Sequence, residues 1–348
     1  MRMKEIRLLA FMILLAVCTA VFTLSGAETM SFRNVSEARK YVRENQPMEL
    51  TLENVKFKPA ELLSIKNELP EGAVFHFTST WGKITFSDET EEMDLNSVKD
   101  GISGETLEAI VQICPNIKVI DNSSHKSPSN KVMIPLVEKY PNVQFEWQVH
   151  LGHGHYVKTT WTAFSTFLEP GSGRELKSED LELLKYCPRL KALDVGHNKI
   201  KNLDFLKYVP DLELLIIGQN YVSDITPVGQ LKHLQYAELF TNSFTDLSPL
   251  ANCTELIDLN ITNCQITDLH ALDNITSIER LWLNMIRSLT QEEVDRFISL
   301  HPDCEVSFYK SRAATNYGWR SNSTRYHHYI WCLKNHKWIP FNEPLPTK

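Results

Sequence analysis

Leu190-Lys191-Ala192-Leu193-Asp194-Val195-Gly196-His197-Asn198-Lys199-Ile200 sets a frame that the chain then repeats. Leu190, Leu212, Leu234, Leu256 and Ile278 stand 22 residues apart. Three positions after each comes an apolar residue (Leu193, Leu215, Ala237, Leu259, Leu281), and two further on another (Val195, Ile217, Leu239, Ile261, Leu283). A small polar residue follows at Asn198, Asn220, Asn242 and Cys264, then Ile200, Val222, Phe244 and Ile266. Apolar residues two apart make a short strand with one buried face, and so short a strand buries that face only against a neighbour of the same kind.

Such a repeat is the frame of leucine-rich repeats. The expected fold class is α/β: a right-handed solenoid, or horseshoe, with a parallel sheet on its concave face and short helices or 3-10 turns on the return side. The Asn column sits where the chain turns inward, and a carboxamide there can satisfy backbone groups that the turn strands. A second column, Asn202, Asp224, Asp246 and Asp268, leads into Thr226-Pro227 and Ser248-Pro249. A hydroxyl followed by proline is a helix-start signal, so each return limb is expected to open with a helical turn.

With 348 residues and 43% apolar composition the chain has ample material for a core. Formal net charge is −7, and residues 1–27 carry +2, which leaves −9 for the remainder. That balance excludes the basic footprint of a nucleic-acid binder. Residues 1–27 read as an export signal: Arg2, Lys4 and Arg7 precede an apolar run from Leu8 to Leu24, and Ser25-Gly26-Ala27 offers a cleavage site. The run also approaches the length of an uncleaved membrane anchor, and Leu15-Ala16-Val17-Cys18 has the outline of a lipoprotein box. A secreted or cell-surface location is expected, with a membrane contact only through a retained anchor.

The six cysteines beyond the signal permit disulfides in an exported chain. Cys114, Cys187, Cys253 and Cys264 nevertheless occupy repeat positions that call for small buried residues. Cys304 with Cys332 is a conceivable tie between the tail and the last coil.

Residues 28–170 carry a looser version of the same rhythm. Helical patterns at Val35–Asn45, Pro59–Asn67, Leu107–Cys114 and Ile134–Tyr140 precede strands at Met48–Leu52, Ala73–Phe77, Ile117–Ile120 and Val143–Val149. Two hairpins are expected, through Trp81-Gly82 and Gly152–Gly154, and Asp88–Asp94 reads as an acidic solvated loop. Domains are therefore expected at 28–170 (divergent coils), 171–309 (regular repeats with a cap) and 310–348. The cap begins at Thr290-Gln291-Glu292-Glu293 and ends in a strand at Cys304–Phe308. The tail, with Gly318-Trp319-Arg320 and Thr324–Tyr329, is aromatic enough to pack on the open end of the stack.

Chemistry is sparse. His153 and His155 share a strand face and could reach one metal, but no carboxylate or cysteine completes the set, and Gly152 and Gly154 favour a plain turn. Gly171-Ser172-Gly173 reads as a linker, and no phosphate-binding glycine motif occurs. No catalysis, cofactor or resident metal is expected.

The solvent side of the strands is more informative. Leu214, Ile216, Tyr236, Glu238, Phe240, Asp258, Asn260, Arg280 and Trp282 project there, and exposed strands of an acidic protein should be more charged than this. Aromatic residues and arginine carry binding energy at interfaces. Either this face binds a ligand, or the tail folds back and covers it. Five strands at about 4.8 Å by about 17 Å of strand give roughly 400 Å², half of the roughly 800 Å² per partner of a stable protein interface.

The block from Leu190 to Leu283, with Leu193-Asp194-Val195-Gly196-His197-Asn198, Asp246-Leu247-Ser248-Pro249-Leu250 and Glu279-Arg280-Leu281-Trp282-Leu283, resembles the bacterial 22-residue, internalin-like class of exported repeat proteins in clostridia-like bacteria. The resemblance implies display outside the cell for ligand binding, and neither an activity nor a particular ligand. The leading expectation is a non-enzymatic recognition protein binding a protein or glycan through the concave face. The alternatives are an envelope scaffold that self-associates through that face and, more remotely, a metal-dependent site at His150–His155.

Overall fold

The computed structural model describes residues 29–99, 101–124, 127–168, 174–311, 318–320 and 323–347. The export signal expected at 1–27 and the linker at Gly171–Gly173 lie outside them. The chain forms two compact units, residues up to 122 with 135–145, and 123–134 with 146–348.

In the first unit helix α1 (Val35–Asn45) starts where the Asn34 side chain accepts the Glu37 amide at 3.0 Å. Strands β1 (Thr29–Met30), β2 (Glu49–Val55), β3 (Val74–Trp81) and β4 (Ile84–Ser87) form one sheet, with helix α2 (Pro59–Lys66) between β2 and β3. The β3–β4 hairpin turns at Gly82, whose φ of 65° suits a residue without a Cβ. Strands β5 (Glu92–Asp94), β6 (Val119–Asp121) and β7 (Gln144–Glu146) make a second sheet. Two helices lie along this stretch, α3 (Gly104–Ile113) and α4 (Asn130–Lys139). The acidic stretch around Glu92 is thus not a solvated loop. Met93 is buried and pairs in register with Ile120, one apolar residue fixing a strand that flanking acids conceal.

The second unit contains the repeats. Strands β8 (Gln148–Gly152) and β9 (His155–Lys158) form the second hairpin. A seven-stranded parallel sheet then runs through β10 (Ala163–Ser165), β11 (Ala192–Asp194), β12 (Leu214–Ile216), β13 (Tyr236–Glu238), β14 (Asp258–Asn260), β15 (Arg280–Trp282) and β16 (Glu305–Ser307). Its register is the 22-residue interval itself: Leu193, Leu215, Ala237, Leu259 and Leu281 lie side by side. The sheet includes β10, so the regular stack starts ahead of residue 171.

The Asn column binds as its place in the frame requires. Asn220 donates to the carbonyls of Val195 and Ile217, both at 3.0 Å, and accepts the Ile200 amide at 3.0 Å. Asn242 repeats the pattern one coil on, and the Cys264 thiol lies 3.5 Å from the Leu239 carbonyl. These bonds close a turn in which His197, Gln219, Thr241, Asn263 and Met285 all adopt left-handed φ values between 52° and 61°. Such conformations cost a non-glycine residue free energy that the surrounding bonds must offset.

The return limbs are 3-10 turns, including Thr226–Gln230 and Ser248–Asn252, with proline in the first turn. Their capping acceptor is the acidic column and not the hydroxyl: Asp224 and Asp246 accept the Thr226 and Ser248 amides, each at 2.8 Å. After β15, helix α5 (Gln291–Leu300) is capped by Thr290, and β16 ends the sheet. The six cysteines among the described residues are free thiols. Burial pushes Cys114 and Cys264 up to about 12 and Cys253 to about 11, as expected of packing residues. No helix among the described residues is long and apolar enough to cross a membrane.

Candidate binding face and the segment that covers it

Strand alternation sends Leu193 and its counterparts inward and their neighbours to the opposite face of the sheet. There the ladder aligns Leu214, Tyr236, Asp258 and Arg280 in one row and Ile216, Glu238, Asn260 and Trp282 in the next, with Phe240 two residues beyond Glu238. The residues expected to bind a ligand are therefore gathered on one surface. Their exposure is not as expected. Leu214, Tyr236, Glu238 and Asp258 are 0% exposed, Ile216, Asn260, Trp282 and Arg280 are buried, and only Phe240 is partly open.

The cover is the chain's own C-terminal segment, residues 318–320 and 323–347 with helix α6 (Thr324–Lys334). The aromatic tail does not pack on the end of the stack; it lies across the sheet face. Trp319, Tyr329, Cys332, Leu333, Trp338 and Ile339 share one apolar cluster with Ala163, Ala192, Leu214, Ile216, Tyr236 and Trp282. The reason is chemical complementarity. Three carboxylates, Asp194, Glu238 and Asp258, stand on this face; burying such groups calls for cations or hydrogen-bond donors, and this segment brings Arg320 to Glu238 and Arg325 to Asp258.

Glu238 accepts hydrogen bonds from the Tyr236 hydroxyl at 2.6 Å, the Tyr329 hydroxyl at 3.0 Å and Arg320 Nη2 at 2.9 Å. Burial works against the charge of Arg320, but Glu238 together with Tyr329 and Tyr236 outweighs it and holds the guanidinium pKa above its ordinary value. Burial and the Glu238 charge push both tyrosines well above the ordinary phenol. Asp258 accepts from Arg325 Nη1 at 2.9 Å and lies 3.6 Å from Arg280 Nη1, and Arg325 also pairs with Glu279. Despite both arginines, burial pushes the Asp258 carboxyl up to about 6. Asp194, bonded to Ser165 Oγ at 2.7 Å, is likewise raised by burial to about 6.

Arg280 sits between two indoles, 4.7 Å from the Trp282 and Trp319 rings, and donates to the carbonyls of Gly318 and Trp319. Farther along, Trp338 Nε1 donates to Glu213 at 2.8 Å, and His336 stacks flat on Trp161. Asp258 Oδ2 and Arg280 Nη1 face each other as a buried ion pair.

The in-register strands, the Asn ladder and the 3-10 return limbs together decide the architecture. The stack is a leucine-rich repeat solenoid. No family model matches the chain, and no curated protein matches it in sequence. Among solved structures it is similar to internalin C2 of Listeria monocytogenes, at 16% identity and a TM-score of 0.37, covering 62% of this chain and 80% of that one. A second internalin of the same organism gives 16% and 0.37, over 75% and 68%. A leucine-rich repeat protein of Leptospira interrogans gives 19% and 0.39, over 74% and 65%.

The histidine hairpin does not gather ligands. His153 holds the left-handed turn between Gly152 and Gly154, while His155 is buried with its ring edge-on to Phe164. Among the described residues the one convergence of potential ligand side chains is Asp268, His270 and Glu293, where Arg296 already binds Glu293 and holds its carboxyl down at about 2.

Trp319, Arg320, Arg325, Tyr329 and Trp338 are the residues that cover the face, where the sequence pointed to packing on the end of the stack. A signal for them existed in Glu238 and Asp258, acids in adjacent rows of a largely apolar and aromatic face.

Proposed function

We propose that this protein is a non-catalytic recognition scaffold acting outside the cytoplasm, and that Leu214, Ile216, Tyr236, Glu238, Phe240, Asp258, Asn260, Arg280 and Trp282 form a polypeptide-binding face. In the resting form that face holds the C-terminal strap, and a protein partner binds by displacing it. The repeat stack supports a scaffold for protein interaction, and the signal-like residues 1–27 support export. The observation that carries the reading is that the face is covered by a polypeptide segment whose Arg320 and Arg325 reach Glu238 and Asp258 while its aromatic side chains fill the apolar surface between them; a partner offering arginine and aromatic side chains can reproduce those contacts.

The strap competes strongly because it is tethered, at an effective concentration on the order of millimolar. A partner must therefore beat an intramolecular contact, which makes the face selective. Residues 28–348 serve as bait for extracellular proteins, and amide exchange in α6 is followed with each captured partner. Faster exchange in α6, and tighter capture by Arg325→Ala, are expected. Capture that leaves α6 protected and ignores Arg325→Ala would sink the reading.

A further inference from the structure

A second surface of the repeat unit is chemically unlike the strap-covered face. Beside the Asn column runs an open groove of about 680 Å³, continued past Tyr221 by a smaller one of about 330 Å³. Two rails of side chains border the buried Asn220–Asn242–Cys264 column, each advancing one coil per step. One is Gln219, Thr241, Asn263 and Met285; the other is Tyr221, Ser243, Gln265 and Arg287. Tyr221 is 61% exposed, an aromatic ring standing in solvent.

The charges are the second observation. On a chain of net charge −7, the two grooves are lined by Lys177, Lys199, Lys201, Arg287 and Lys310 against a single acid, Glu179. Lys199 is tied to Glu175, and Lys310 donates to the carbonyls of Ile286 and Arg287. Lys177 lies near enough to Glu175 to help hold its carboxyl down, while Lys201 and Arg287 form no ion pair among the described residues. The nearby acids Asp224 and Asp246 are occupied as acceptors for Thr226 and Ser248 and do not line the grooves.

We propose that this groove binds an acidic, unbranched polysaccharide, with a pyranose ring stacked on Tyr221, the amide and hydroxyl rails meeting ring hydroxyls, and Lys177, Lys201 and Arg287 meeting carboxylates. The period decides between polymers. The rails repeat at the strand spacing of about 4.8 Å, whereas an extended peptide advances about 3.3 Å per residue and presents one side only at every second residue. A peptide therefore drifts out of step with the coils, while a chain of pyranose rings advances by about one ring per coil. Nucleic acid would demand a far denser basic surface.

Affinity electrophoresis of the mature chain tests this, with polygalacturonate and hyaluronan as acidic probes and a linear β-1,3-glucan as the neutral one. Retardation by the acidic polymers, weakening with added salt, is expected, with none by the glucan. Tyr221→Ala and the pair Lys201→Ala with Arg287→Ala should each bind about tenfold more weakly, the value of some 1.4 kcal/mol. Their thermal melts should be unchanged, since all three side chains are exposed. Arg325→Ala should leave this binding as it is, which separates the groove from the strap-covered face. Retardation by neither acidic polymer, equal retardation by the glucan, or variants that bind like the parent would each overturn the proposal.

Discussion

At Glu238 a single carboxylate with no exposure is held by two phenols and one guanidinium. Removing one partner from a buried ion pair is costlier than removing both, because the survivor keeps its desolvation penalty. Arg320→Ala should therefore destabilise the protein by roughly 3 kcal/mol, read from urea unfolding. Adding Glu238→Gln should restore more than half of that loss, since an amide still accepts from the tyrosines without stranding a charge. A double variant no more stable than Arg320→Ala would mean that the cost lies in lost packing of the arginine stem. At this scale much was legible: the repeat frame placed all nine face residues on one surface and assigned the Asn column its inward turn. What occupies the surface was not legible, because periodicity reports which way a side chain points and nothing about what lies above it.

Among the elements, α6 shows why. Its sequence, Thr324-Arg325-Tyr326-His327-His328-Tyr329-Ile330-Trp331-Cys332-Leu333-Lys334, is aromatic on several sides, so its burial direction cannot be read from spacing. The same limit explains β5, whose strand rests on Met93 alone, whereas α1 and the two hairpins carry strong local signals, an Asn34 cap and glycine turns. Asp258 makes a pH-dependent contribution to strap closure whose sign is definite. Closed, the Asp258 carboxyl faces Arg325, Arg280 and Glu279 and has a pKa of about 6, against an ordinary value of 3.8. Closing therefore takes up protons between those values. Asp258 favours the closed form increasingly as pH falls through 6, with the full effect below the ordinary value, and the advantage vanishes above 6. Both arginines remain charged throughout. Between pH 7 and pH 5 the gain is on the order of 1 kcal/mol. Tryptophan fluorescence during urea titration at pH 5 and pH 7 should show a contribution from Asp258 that favours the closed strap at pH 5, in the same direction as Asp194 and opposed by His336, whose pKa burial lowers. Asp258→Asn should therefore move the strap's relative stability at pH 5 downward by about 1 kcal/mol against that at pH 7; a pH dependence identical to the parent's would contradict the assignment.

For the whole repeat unit, the strap determines whether the sheet face is available for self-association at all. Uncovered, the face would present Leu214, Ile216, Tyr236 and Trp282 as one apolar patch of roughly 400 Å², within the range that marks an interaction site on a soluble protein. The envelope-scaffold reading needs that patch exposed. With the strap closed, Tyr236 and Trp282 are already in contact with Trp319 at 5.6 and 5.1 Å, and a second copy finds no open sheet to meet. Light scattering of residues 28–348 should therefore give a monomer whose mass does not rise with concentration. A chain ending at Lys310 should melt at lower temperature and self-associate in a concentration-dependent, reversible manner. The association should be weak, because about 400 Å² per copy falls short of the roughly 800 Å² per partner of a stable interface. Adding Tyr236→Ser and Trp282→Ser to the shortened chain should return it to a monomer, since these two side chains contribute the patch's largest apolar area. If the full chain already associates and the serine substitutions leave that association unchanged, assembly uses another surface.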